Sequence, residues 1–300
     1  MALDAYLAMA VSAAMTVAYQ SAFFLVAYTM QIDKVTDFAG GSNFALVAMA
    51  TLFLGENQRG ERSVVVTTLV ALWALRLAVF LLLRILSWGE DRRFDEMRSD
   101  FFKFAAFWLA QAVWVWTVTL PVQLLNGGAG NAKAPISANA LDVIGLVLFG
   151  YGLLLEAWAD QAKLNFKNNP ESRGNFCNVG PWRWSRHPNY AGEMSLWIGI
   201  FLVCVRGFAE GNARWSDYVL ASLSPAFIVL LLLFGSGLPL LEASSNRRYG
   251  LREDYRVYRE RTSPLIPLPP ALYALLPLWL KRAALFEWPL YETGLATAMA

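Results

Sequence analysis

VVVTTLVALWALRLAVFLLLRIL, residues 64–86, contains no acid and only two bases, Arg76 and Arg84. A helix rises about 1.5 Å per residue, so roughly 20 apolar residues cross a hydrocarbon core of about 30 Å. This stretch therefore reads as a membrane span, and six others follow from the same criterion: 5–30, 43–55, 101–125, 138–158, 190–205 and 218–241. The second of these is short. Hydrophobic residues make up 57% of the 300 and charged ones 16%, a balance too apolar for an ordinary soluble domain. The expectation is an all-α polytopic membrane protein of about seven transmembrane helices forming one domain. Residues 1–125 would be its substrate-cavity half, 138–270 its cofactor-binding half and 271–300 a tail at the interface, since Pro267, Pro269, Pro270 and Pro277 break the tail too often for a span.

Basic residues collect on the cytoplasmic side of membrane proteins, which tests the count of spans. With the amino terminus outside, nineteen of the 25 Lys and Arg fall on inside segments, among them Lys34, Arg92, Arg93, Arg98, Lys163, Arg183, Arg256 and Arg259. Five lie outside (Arg59, Arg62, Lys133, Arg206 and Arg214), and Arg76 stays within a span. An odd number of helices with a cytoplasmic carboxy terminus satisfies this bias, and losing the short second span would spoil it. The first segment lacks a basic n-region and its apolar stretch is too long for a signal core, so it is expected to stay as a helix. The compartment is a bacterial inner membrane or the endoplasmic reticulum membrane, with the active site toward the cytoplasm.

Two cysteines, Cys177 and Cys204, give no basis for a disulfide framework, and a lone histidine argues against a metal site. A net charge of +2, dispersed along the chain, does not suggest nucleic acid, whereas the basic inside loops suit anionic lipids or a phosphorylated cofactor. No protein partner is evident. The motifs of soluble nucleotide sites are missing: no Gly-x-Gly-x-x-Gly after a strand, no Gly-Lys-Ser/Thr loop, no Gly-x-Ser-x-Gly elbow. Any nucleotide site must be built from membrane helices and their loops.

The lone histidine sits in Trp184-Ser185-Arg186-His187-Pro188-Asn189-Tyr190-Ala191-Gly192-Glu193. Pro188 suits the first turn of a helix, which places Arg186 and His187 at its positive end, where anions bind. Asn189, Tyr190 and Glu193 then lie within one turn of each other. The cluster reads either as a ligand site or as a helix cap with interfacial Trp and Arg anchors. Upstream, Glu156, Asp160, Lys163 and Lys167 share one helix face, as ribose and phosphate ligands or as a solvated ion-pair stripe. Arg173 adds to the same basic segment. Downstream, Glu242, Asn246, Arg247, Arg248, Arg252, Tyr255, Tyr258 and Arg261 follow the last span and its Gly235-Ser236-Gly237 break. Arg248, Arg252 and Tyr255 could align on one helical face, as a cofactor lid or as a lipid-binding basic helix. In the amino-terminal half, Arg76 needs a partner, for which Asp33 or Asp37 is the candidate. Trp73, Trp108, Trp114 and Trp116 read as packing or lipid-facing residues.

Asp160 with its basic continuation, the Gly180-Pro181-Trp182 to Glu193 run, and Tyr255-x-x-Tyr258 before Leu265-Ile266-Pro267 resemble the steroid 5-alpha-reductase superfamily, particularly its bacterial-type uncharacterised branch. The resemblance is strongest over residues 138–270, with further signatures at 31–44 and 89–94. It implies a seven-helix reductase using NADPH on the activated double bond of a lipophilic, steroid-like or isoprenoid-like enone. The cofactor set it implies is Glu156, Asp160, Lys167, Arg173, Trp182, Arg186, His187, Asn189, Tyr190, Glu193, Arg247, Arg248, Arg252, Tyr255, Tyr258 and Arg261. This chain has Gln31-Ile32-Asp33 where steroid reductases carry Gln-Glu, and Trp73 near the expected tyrosine. Carbonyl recognition then falls to Gln31 and Asp33, with Tyr28 as substitute donor. Membrane methyltransferases of the isoprenylcysteine or phospholipid type, which use S-adenosylmethionine, also carry Arg-His-Pro-x-Tyr before a helix and are the rival reading; a lipid-binding scaffold is the third.

Overall fold

A computed structural model describes residues 3–56, 60–88, 97–131 and 133–295. The signature at 89–94, with Arg92 and Arg93, and the outer-loop Arg59 lie outside the described residues. The described chain is helical: α1 (Ala5–Met30), α2 (Thr36–Leu54), α3 (Glu61–Trp88), α4 (Phe101–Val118), α5 (Leu120–Asn126), α6 (Ala140–Asn168), α7 (Pro188–Ala209), α8 (Trp215–Phe234), α9 (Leu238–Tyr249), α10 (Glu253–Arg261), α11 (Pro270–Leu275) and α12 (Leu278–Ala284). Seven helical segments are long and apolar enough to cross a membrane, α8 and α9 counting together as the last.

Each of the seven expected spans has its helix, and the departures have local causes. Helix α2 begins at Thr36 rather than Asn43 because Asp37, which depresses the apolar signal, is paired with Arg84 at 2.7 Å. Gly40 and Gly41 sit in the same stretch for packing: a Cβ on Gly41 would stand 3.2 Å from the Ala78 Cα. The fourth span is two helices, since Pro121 opens α5 just after the Thr119 joint. Helix α6 runs on to Asn168, so the 156–167 stripe is helical as expected.

Asp4 and Asp100 cap α1 and α4 by accepting first-turn amides at 2.9 and 3.1 Å. Gln31 ends α1 in the left-handed conformation, φ 53°. Along α3, Leu72, Leu75, Val79, Leu83 and Leu86 are more than half exposed, which marks its lipid-facing side, while Trp73 and Ala74 are buried.

The chain divides into two compact units, Met1–Val147 with Trp197–Phe227, and Leu148–Leu196 with Ile228–Ala300. In the first, the Phe44 ring lies 5.0 Å from Trp73, 4.9 Å from Trp114 and 5.4 Å from Trp197. A second cluster gathers Phe24, Ala27, Ala39, Phe104 and Trp108. Asp33 takes Arg98 at 3.3 Å. Arg62, counted from sequence as a loop charge, is instead wholly buried in an ion pair with Asp142 and also donates to the Val203 and Pro135 carbonyls at 3.0 Å. The Ser137 amide and hydroxyl complete that carboxylate. Breaking a buried pair on one side strands the other charge, at a cost of about 3–5 kcal/mol. Arg62→Leu should therefore lower unfolding free energy in detergent by about that amount, and Arg62→Leu with Asp142→Leu by much less; equal losses would show that the pair is not the source.

Candidate functional site

In the second unit, α7 starts at Pro188 as expected, and its crossing with α6 is unusually close. A Cβ on Gly192 would lie 2.6 Å from the Gly152 carbonyl oxygen and 2.9 Å from Glu156 Cβ, so only glycine fits there. Ahead of Pro188, the chain is held by hydrogen bonds to the segment after α10. Arg186 N donates to Ser263 O at 2.8 Å, Ser185 Oγ to Leu265 O at 2.7 Å, and Leu268 N to Trp184 O at 3.1 Å. Tyr258 hydroxyl donates to Trp182 O at 2.7 Å, and the Trp182 indole to Ala159 O at 2.8 Å. The motif around His187 and the Tyr255-x-x-Tyr258 motif are thus one structure.

Glu242, from α9, is at its centre and 2% exposed. One carboxylate oxygen is 2.7 Å from His187 Nε2; the other lies 3.3 Å from Arg186 Nε and 3.7 Å from Arg259 Nη2. Arg186 also reaches Glu287 at 2.9 Å, and Tyr273 hydroxyl bonds the same carboxylate. Asn246, one turn after Glu242, accepts from Tyr255 hydroxyl at 3.1 Å and Arg259 at 2.9 Å, and donates to the Tyr291 and Thr293 carbonyls at 2.9 Å. Two guanidiniums face two carboxylates, so the buried cluster balances without a charge on His187.

Burial holds the His187 pKa below its ordinary value of 6.5, and the positive charges of Lys163 and Arg186 work the same way, outweighing Glu242. In the neutral ring the proton belongs on Nε2, facing the carboxylate, which leaves Nδ1 as an acceptor. That Nδ1 is buried and has no hydrogen-bond partner among the described residues. For Arg186, burial opposes the charge, but Glu242 and Glu287 more than offset it and raise the guanidinium pKa. Tyr255 is pushed up to about 12, chiefly by burial with Glu242 adding to it, so it is a neutral donor at physiological pH.

Beside this cluster opens a cavity of about 240 Å³. Lys163, Lys167 and Arg248 give it cations, Phe176, Tyr249, Tyr255 and Tyr258 flat rings, and Arg186, His187 and Glu242 its inner end. Lys163 Nζ stands 4.2 Å over the Trp182 ring. Cys177 also lines it, with its thiol pKa raised by burial.

Of the residues singled out from sequence, Lys163, Lys167, Trp182, Arg186, His187, Glu242, Arg248, Tyr255 and Tyr258 meet at this cavity. Glu156 is buried under Gly192, and Asp160 is half-buried on the same helix. Tyr190 stacks on the His187 ring at 5.8 Å, while Asn189 and Glu193 are half-buried one turn apart; none of the three lines the cavity. Arg173, Arg247 and Arg261 are exposed and outside its lining. The single helical face expected for Arg248, Arg252 and Tyr255 does not exist, because the helix ends at Tyr249 and α10 starts at Glu253. Arg252 sits in the break, bonded to Asp254 and to Asn175.

The carbonyl-recognition trio is in the first unit and is only partly available. Both amide hydrogens of Gln31 are spent on the Tyr28 and Arg98 carbonyls, at 2.7 and 3.2 Å. Asp33 is buried with Arg98, and the Tyr28 ring lies between Phe24 and Phe101. Glu242 and Asn246 are singled out in the sequence but not in the implied cofactor set, and Arg259, Glu287 and Tyr291 are given no site role there. Glu242 and Asn246 carried a signal, sitting four residues apart on a face that ends an apolar span. The tail carried none: read as an interfacial segment, it contributes Tyr273 and Tyr291 at 0% exposure, and Tyr291 hydroxyl bonds Leu233 O at 2.9 Å.

Residues 23–262 match the model of a family described as a protein of unknown function (DUF1295). An uncharacterized protein of Schizosaccharomyces pombe is 26% identical over 241 residues, which cover 71% of this chain and 66% of that protein's length. No solved structure matches.

A histidine whose pKa is lower folded than unfolded contributes fully above about pH 6.5 and costs stability as pH falls below it. The melting temperature in detergent should drop between about pH 7 and pH 5.5, and His187→Gln should flatten that part of the curve. An unchanged slope in the variant would assign the acid sensitivity elsewhere.

Proposed function

We propose, from the premise that this chain belongs to the DUF1295 family, which stands in the steroid 5-alpha-reductase-like group, that it is an NADPH-dependent membrane reductase of an activated carbon-carbon double bond in a lipophilic substrate. The observation that carries the reading is the second-unit cavity, lined by four cationic side chains and six aromatic rings around a buried imidazole nitrogen that has no hydrogen-bond partner among the described residues. Cations facing aromatic walls suit a phosphorylated nucleotide. At about 240 Å³ the cavity is below the roughly 300–1,000 Å³ of pockets that enclose a whole ligand, so it suits one end of a dinucleotide.

Lys163, Lys167 and Arg248 would hold phosphate, and Phe176 with Tyr249 would cover a base or ribose. His187 Nδ1 would accept one donor hydrogen from the bound molecule, its orientation fixed by Glu242. When bound, NADPH supplies hydride to the electron-poor carbon of an enone. Tyr28 remains the proposed carbonyl donor, since Gln31 is committed to the backbone and Asp33, ion-paired with Arg98 at 3.3 Å, is an acceptor only. A donor aimed at the carbonyl oxygen stabilises the charge that develops there, more so in a dry site. The proposed orientation has the amino terminus outside and the cofactor side cytoplasmic, in a bacterial inner membrane or the endoplasmic reticulum membrane.

The methyltransferase reading shares the Arg-His-Pro-x-Tyr run, and ligand preference separates the two. NADPH should raise the melting temperature of the detergent-solubilised protein, and S-adenosylmethionine should not. Lys167→Ala and Arg248→Ala should each weaken NADPH binding about tenfold, as expected for one lost charge-assisted hydrogen bond. Stabilisation by S-adenosylmethionine alone would transfer the assignment to methylation.

A further inference from the structure

The first unit holds a second set of buried polar groups, of a different kind. Gln20 on α1 is 2% exposed and Asn43 on α2 is 0% exposed, yet neither amide nitrogen nor oxygen of either has a hydrogen-bond partner among the described residues. Gln111 on α4 donates to the Thr36 carbonyl at 3.1 Å, but its side-chain oxygen is likewise unpartnered. So are the indole nitrogens of Trp108 and Trp114 on the same helix.

These groups lie within about one helical turn of each other in depth. Gln20 is ten residues from the end of α1, Asn43 seven from the start of α2, and Gln111 ten from the start of α4. At 1.5 Å per residue they lie about 15, 10 and 15 Å into the bundle. The three helix ends are on one side, since α1 and α2 are joined by residues 31–35, and Arg98, just before α4, bonds both Gln31 and Asp33. Lateral contacts agree. Tyr19 and Ser42, the neighbours of Gln20 and Asn43, bond at 2.8 Å. Gly40, one turn before Asn43, leaves the room that Gln111 uses: a Cβ there would be 2.3 Å from Gln111 Nε2.

An unpaired amide in an apolar interior costs about 1–3 kcal/mol by protein mutational data, and buried amides with nothing to bond should not persist within a membrane span. The remaining valences are donors and acceptors without formal charge on amides and indoles. We infer that Gln20, Asn43 and Gln111 form an intramembrane site for the uncharged oxygen function, hydroxyl or carbonyl, of a lipophilic molecule. The site stands independently of the nucleotide reading, because none of its residues belongs to the second unit.

The test uses the full chain in phosphatidylcholine nanodiscs, with tryptophan emission as the readout. The probes are farnesol, geranylacetone and the oxygen-free hydrocarbon farnesane. Farnesol or geranylacetone should change the emission saturably and farnesane should not. Gln20→Leu with Asn43→Leu should weaken that response about tenfold or more, and so should Gly40→Ala by displacing Gln111. Melting temperature is followed in parallel to confirm that the variants fold; should the leucine pair fail to fold, Gly40→Ala and Gln111→Leu carry the same comparison. A response equal for farnesane, one that survives in the folded variants, or none to either oxygenated probe overturns the inference. NADPH binding, measured on the same samples, is expected to be unchanged in these variants, so loss of one site is read separately from loss of the other.

Discussion

One carboxylate organises the second unit. Glu242 meets His187, Arg186 and Arg259 within 3.7 Å, and these residues come from stretches that are distant in sequence. An isolated carboxylate in a dry interior is too costly to keep, and its partners would be equally costly without it. The start of α7, helix α9, helix α10 and the segment bearing Glu287 are therefore held by mutual charge compensation. The balance of two carboxylates against two guanidiniums also explains why burial can keep the imidazole neutral, its lone pair on the unpartnered Nδ1.

This arrangement changes what the arginines do. Arg186 looks from sequence like an anion ligand at a helix amino terminus, but Glu242 and Glu287 already occupy it. The cations that the proposed reading assigns to phosphate are elsewhere on the cavity rim, Lys163 and Lys167 on α6 and Arg248 on α9. The interior cluster sets the shape and the rim sets the charge.

The spans were legible because hydrocarbon thickness imposes a length and apolarity that the eye can count. Proline and glycine gave the start of α7 and the break before α9 in the same way. Asp37 hid the start of α2, since hydropathy cannot know that Arg84, a full helix away, will pair with it. The site was partly legible for a different reason. Arg186, His187, Tyr255 and Tyr258 stand in dense polar runs next to apolar ones, which raises suspicion by local pattern alone. Glu287 and Tyr291 lie among prolines and tryptophans that read as an interfacial tail, and only three-dimensional pairing discloses their part.

Both units bury ion pairs, Arg62 with Asp142 in the first and Arg186 with Glu242 in the second, but the buried groups they leave without partners differ, and the difference bears on what each can bind. In the second unit most buried groups beside the cavity are charged and ion-paired, Arg186, Glu242 and Arg259 among them, and His187 Nδ1 is the buried neutral acceptor there with no hydrogen-bond partner among the described residues. In the first, Ser12 on α1, Gln123 on α5 and Thr119 before it form a chain of hydrogen bonds at 2.8 and 2.7 Å, whereas Gln20 on α1 and Asn43 on α2 have no side-chain partner among the described residues. A sequence able to satisfy one buried amide completely and leave two others unpaired in the same bundle has not simply failed to find partners. The open amides are better explained by a bond made to something other than the chain.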